Sequence, residues 1–167
     1  DNAAANGWTY INDRDEMNAL KPGSRSFGQF SYDDLRNVTN NYNTPPIAEM
    51  TEKAIELLSA DEDGFFLMVE GSKVDTGGHS NNTAQMSSDY IAFDEAFKVA
   101  VEFAKSRNDT VVVAVPDHDT GGLNVLNEAS AVASIRNCEQ PSASAVTWES
   151  KSHTARNGGV FMYVPEG

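Results

Sequence analysis

Gly64-Phe65-Phe66-Leu67-Met68-Val69-Glu70-Gly71 is answered further along the chain by Thr110-Val111-Val112-Val113-Ala114-Val115-Pro116. Both are short apolar runs closed off by turn-forming residues, and neither alternates apolar with polar, so each reads as a strand covered on both faces. Between them Phe93, Phe97, Ala100, Val101 and Ala104 fall on one helical face, and Asp94, Glu95, Lys98, Glu102 and Lys105 on the other. That spacing predicts an amphipathic helix over roughly residues 89–106. Strand, helix and strand in this order define an α/β fold, with a right-handed crossover in a largely parallel sheet flanked by helices.

Upstream, an Asn/Ser/Pro-rich stretch around residues 36–46 reads as a surface connection, and Thr44-Pro45-Pro46 reads as a helix start. Ile47, Met50, Ala54, Leu57 and Leu58 follow at helical spacing, which places a helix near 46–59, ended by Asp61-Glu62-Asp63-Gly64. Weaker strand signals lie at Trp8 to Ile11, Ala145 to Trp148 and Val160 to Val164. A chain of 167 residues is the size of one domain, so residues 1–167 are taken as a single α/β unit. So few strands leave the sheet edges unfinished, and the chain opens Asp1-Asn2-Ala3 with neither an initiator methionine nor an apolar leader. Both features suggest a partial domain from a longer polypeptide.

Twelve basic residues stand against 25 acidic ones, a formal charge of −13. Nucleic acid needs a basic face, so that class of partner is set aside, and no apolar run is long enough for a membrane span. The same charge repels a phosphate ester unless bound cations reverse the field locally, although acidity by itself also serves plain solubility. Cys138 is the only cysteine, which rules out an internal disulfide and a cysteine-rich zinc cluster. The Asn-x-Thr triplets at Asn37, Asn81 and Asn108 are too common a pattern to carry weight.

In open α/β sheets functional groups collect in the loops beyond the carboxyl ends of the strands. The first such loop here holds Glu70, Asp75 and His79, and the second Asp117 and His118; the third and last histidine, His153, follows the strand expected to end at Trp148. Imidazole with carboxylate suits zinc, which takes three protein ligands in a catalytic site and leaves a position open. Asp75, His79 and His153 make such a trio. Asp117 and His118 are adjacent and would serve a second zinc only with a sharp backbone turn and a further carboxylate. Glu70 offers oxygen alone, the donor magnesium prefers. Taken singly, each residue has an ordinary reading: a hydrogen-bonded loop histidine, a Glu70–Lys73 pair, an aspartate in a turn, glycines that permit tight turns.

Together these residues resemble the alkaline phosphatase family. The segment from Gly64 to Gly71 followed by Asp75 and His79 is similar to that family's metal loop; Asp117-His118 with Thr120-Gly121-Gly122 is similar to its second metal motif, and His153-Thr154 to its last histidine. Pro46 to Thr51 and the helix after them resemble the approach to the first motif. The likeness covers residues 40–164 well and the first forty loosely.

The resemblance implies that Asp75, His79 and His153 bind one zinc, Asp117 and His118 the other, and Glu70 a magnesium. It implies hydrolysis of phosphate monoesters to inorganic phosphate through a phosphoserine, in a periplasmic or secreted homodimer. The family's nucleophilic serine, its bridging aspartate and its phosphate-clamping arginine belong to an amino-terminal half with no counterpart here, so the chain alone is expected to be inactive. Thr76 and Pro116 depart from the family pattern beside the ligands. A related phosphodiesterase or sulfatase, or a non-catalytic metal-binding module, remain the alternatives; the Glu70 position favours the monoesterase.

Overall fold

The computed structural model describes residues 2–31 and 43–166, in two units that adjoin in sequence at Glu70 and Gly71. Asn37 and most of the 36–46 connection lie outside the described residues.

The first unit holds α1 (Asn2–Ala5), β1 (Trp8–Ile11), α2 (Arg14–Ala19), β2 (Arg25–Gly28) and α3 (Ile47–Leu58). β1 and β2 pair in parallel, Trp8 opposite Arg25 and Ile11 opposite Gly28, with α2 as the connection between them. Asp13 caps α2 by accepting from Glu16 N, which satisfies one free amide of the first turn, and the Glu16 carboxylate accepts from Asn12 N just ahead of the cap. Ile11, Met17 and Leu20 form a small core, and Phe30, Met50 and Leu57 pack on it. Arg14 binds Glu49 through both guanidinium branches and ties α2 to α3. The sequence reading of α3 is met to within a residue at each end.

Residues 65–69 correct the expected first strand: they belong to none of the described strands, and Phe66 is 90% and Met68 69% exposed. Apolarity on both faces says that a segment seeks cover. It does not say which strand provides it.

The second unit holds α4 (Lys73–His79), α5 (Thr83–Ser106), β3 (Val112–Ala114), β4 (Asp119–Thr120), β5 (Asn124–Val125), α6 (Glu128–Arg136), β6 (Val146–Thr147), β7 (His153–Thr154) and β8 (Phe161–Tyr163). Its three described sheets are two-stranded and antiparallel: β3 with β8, β4 with β7, β5 with β6. The expected parallel crossover therefore does not form among the described residues. Only the centre of the valine run is strand, and Val111, Val113 and Val115 keep more than half their surface exposed. Ala131, Ala145 and Val146 are the buried core beside α6, with Leu123 and Ile135 against them.

α5 begins earlier than the periodicity suggests, because Asn82 caps it by accepting from Gln85 N and Thr83 starts the helix fully buried. Within α5 Asp89 is buried, and its Oδ2 has no hydrogen-bond partner among the described residues. Burial raises its pKa above 3.8, opposed in part by the positive charge of Lys73. A carboxyl whose folded pKa is raised favours folding below its unfolded pKa, and that contribution falls as pH rises through the folded value. The stability of Asp89→Asn relative to wild type, measured by urea unfolding, is thus expected to increase from pH 3.5 to pH 7; a difference that stays flat would contradict burial of the charge.

Candidate metal centre

α4 places Asp75 and His79 one turn apart, so both side chains stand on one side of the helix. His79 Nδ1 lies 2.6 Å from the Lys151 carbonyl, and its Nε2 lies 3.4 Å from Asp75 Oδ2. A carbonyl can only accept, so Nδ1 is the donor and Nε2 is the nitrogen turned toward the carboxylate.

The other two imidazoles come from the β4–β7 ladder. Thr120 is paired with His153 and Asp119 with Thr154, while His118 sits immediately before β4. Gly121 N donates to Ser152 O, and Glu149 N and Ser150 N donate to Gly121 O, which fastens the two segments at their turn. Gly121 has φ +84°, and a side chain there would meet Trp148 at 2.6 Å, so the turn requires glycine on both counts. Asp119 faces away from the histidines: its Oδ2 accepts from Thr154 Oγ1 at 2.6 Å and from Gly122 N at 3.1 Å, and ties β4 to β7.

The result is a cluster. His118 and His153 stack with ring centroids 3.5 Å apart, and His79 lies 5.1 Å from His153. His153 Nε2 is 3.7 Å from Asp75 Oδ1, and His118 Nε2 is 3.2 Å from Asp117 Oδ2. One donor atom from each of Asp75, His118 and His153 falls within 4.8 Å of the others, the spacing of a shared cation. Three Nε2 atoms facing carboxylate oxygens form a nitrogen-and-oxygen donor set that fits zinc.

Five of the six residues singled out in the sequence thus gather in the second unit. The tightest trio is Asp75, His118 and His153, with His79 beside Asp75 and the largely exposed Asp117 beside His118. Glu70 is exposed and is the last residue of the first unit. The sequence reading missed two supports, the Lys151 carbonyl and the Thr120 hydroxyl, which donates to Asp75 Oδ1 at 2.6 Å and lies 3.2 Å from His118 Nδ1. A signal for Thr120 was available: in an extended segment residues two apart share a face, and His118 and Thr120 are two apart.

Residues 1–140 match the family model for alkaline phosphatase. Alkaline phosphatase 3 of Bacillus subtilis is 40% identical over 120 residues, 71% of this chain and 26% of that protein. Alkaline phosphatase of Escherichia coli is 34% identical over 144 residues, 77% of this chain and 29% of its own length. Among solved structures, alkaline phosphatase from the Antarctic bacterium TAB5 superposes with a TM-score of 0.73 at 27% identity, over 97% of this chain and 46% of that one. A cold-active alkaline phosphatase from a psychrophilic Shewanella superposes with a TM-score of 0.80 at 21% identity and covers 97% of this chain and 55% of its own. A clustered histidine-and-carboxylate site on an α/β fold of this shape defines the class, and the chain belongs to the alkaline phosphatase family. It spans between a quarter and a third of the curated relatives named above.

Gly77 and Gly78 make the approach of α4 possible. A Cβ on Gly77 would stand 2.7 Å from the Met86 backbone in α5, and one on Gly78 would stand 2.8 Å from Thr120 O in β4. Gly77→Ala is expected to cost about 1–3 kcal/mol in urea unfolding, since backbone rather than a movable side chain opposes the methyl group. An unchanged midpoint would show that the helix does not pack this closely.

Proposed function

We propose that this chain carries the carboxyl-terminal metal-binding part of a phosphate monoesterase with two zinc ions and one magnesium. The observation that carries the reading is the convergence of donors from Asp75, His118 and His153 within 4.8 Å, with His79 oriented beside them by a backbone carbonyl; the division of these donors between two ions follows the family resemblance. Asp75, His79 and His153 are assigned to one zinc, Asp117 and His118 to the other, and Glu70 to magnesium. A solved TAB5 alkaline phosphatase variant has Mg bound in its M3 site, which supports a third ion in this family's architecture.

Divalent cations at such a site supply positive charge against the dianionic ester and polarise the reacting oxygens. This chain's own part is to hold those charges in place. Asp75 and His79 stand on an α-helix and His153 in a two-stranded ladder, with Asp117 and His118 leading directly into that ladder, and elements of this kind hold ligand geometry better than free loops. With 25 acidic against 12 basic residues, the protein needs the cations to admit a phosphate at all.

The proposal extends to what completes the enzyme. An amino-terminal half of the same family domain would contribute the serine nucleophile and the phosphate clamp; inorganic phosphate would be the product, and a periplasmic or secreted homodimer the working form. The limited coverage of the relatives supports the first of these, since most of their length lies beyond the matched region. None of the described helices is long and apolar enough to cross a membrane.

Zinc binding tests the reading. The chain should take up zinc in competition with a chromophoric chelator, and His153→Ala and Asp75→Ala should each weaken that binding at least tenfold with helical content unchanged. The chain alone should leave p-nitrophenyl phosphate intact and gain turnover only with the upstream half. Equal zinc affinity in wild type and both variants would contradict the assignment.

A further inference from the structure

Thr120 stands between the two proposed ion positions and touches a ligand of each: its Oγ1 is 2.6 Å from Asp75 Oδ1 and 3.2 Å from His118 Nδ1. A threonine hydroxyl has one proton to give and lone pairs to receive with, whereas an ionised carboxylate only receives. The hydroxyl proton therefore goes to Asp75. What Thr120 then shows to His118 is a lone pair, and Nδ1 must carry the hydrogen.

A neutral imidazole protonated at Nδ1 has a bare Nε2. In that tautomer Nε2, 3.2 Å from Asp117 Oδ2, is the nitrogen available to a cation shared with the carboxylate. His79 reaches the same state by another route, with the Lys151 carbonyl at 2.6 Å receiving from its Nδ1. Two imidazoles with Nδ1 engaged, one by backbone and one by a side chain, present Nε2 to the same acidic cluster.

We infer that Thr120 is a positioning residue of the metal centre: one hydroxyl orients Asp75 and fixes the His118 tautomer, and so couples the two ion positions. The inference rests on the metal reading above. Thr120 is itself held by pairing with His153 in the ladder and by its side chain against Gly78, whose added Cβ would lie 3.0 Å from Thr120 Cβ and 3.1 Å from its methyl carbon. Packing and hydrogen bonding at this residue can therefore be separated. Valine keeps the branched shape and loses the hydroxyl; serine keeps the hydroxyl and loses the methyl.

The experiment is a zinc titration of the full chain against a competing chelator in wild type, Thr120→Val and Thr120→Ser, with histidine-15N spectra of the zinc-loaded proteins. Removing a ligand's outer hydrogen-bond partner typically costs about 10- to 100-fold in metal affinity, and that loss is expected for Thr120→Val. Thr120→Ser should stay within about threefold of wild type, since it restores the outer hydrogen-bond partner. In the wild-type spectrum His118 should carry a slowly exchanging Nδ1 proton, and in Thr120→Val that proton should exchange with water. Unchanged affinity in Thr120→Val, equal losses in both variants, or a His118 proton on Nε2 would each overturn the inference and leave the metal centre standing. A wild-type chain that takes up no zinc would overturn the metal reading and the inference with it.

Discussion

The close approach of α4 to its neighbours is the constraint from which the candidate site follows. Asp75 and His79 ride on a helix whose next two glycines press against the Met86 backbone on one side and Thr120 on the other. Any larger residue at Gly77 would push the helix off α5, and any at Gly78 would push it off the ladder that carries His118 and His153. Carboxylate and imidazoles from segments distant in sequence share a few ångströms because two side chains are missing from between them.

The donors around this approach alternate carboxylate oxygen with imidazole nitrogen. Asp75 and Asp117 point oxygens at imidazole nitrogens in a chain that already carries an excess of negative charge. Two of the three rings have their Nδ1 atoms engaged, by the Lys151 carbonyl and by the Thr120 hydroxyl, which turns their Nε2 atoms toward the carboxylates. Divalent ions at the proposed positions would neutralise the acids and bind the imidazole nitrogens. The wider fold supports the same picture: Asp119 spends its carboxylate on the turn and not on the centre, so the two neighbouring acids in Asp117-His118-Asp119 have separate duties.

Much of this was legible in the residues, and the parts that were not share a cause. Aspartates and histidines placed just after apolar runs pointed to the cluster because that placement depends on local order. The same reasoning read residues 71–79 as a loop, since Gly77 and Gly78 are poor helix residues by propensity and only their packing explains them. It read 65–69 as a buried strand because apolar content signals a need for cover but cannot name the partner. α6, with weak periodicity and an Asn127 cap, went unseen for lack of an apolar stripe. Thr120 was read only as part of a family motif, because a hydroxyl acquires its role from two groups that meet it through space.

The most direct measurement is anomalous diffraction at the zinc edge from crystals of the chain grown with zinc. The account predicts two peaks about 4 Å apart, the spacing of a two-metal site, one within bonding distance of Asp75, His79 and His153 and the other of Asp117 and His118. Zinc bound elsewhere on the acidic surface, with the three histidines free of it, would contradict the account.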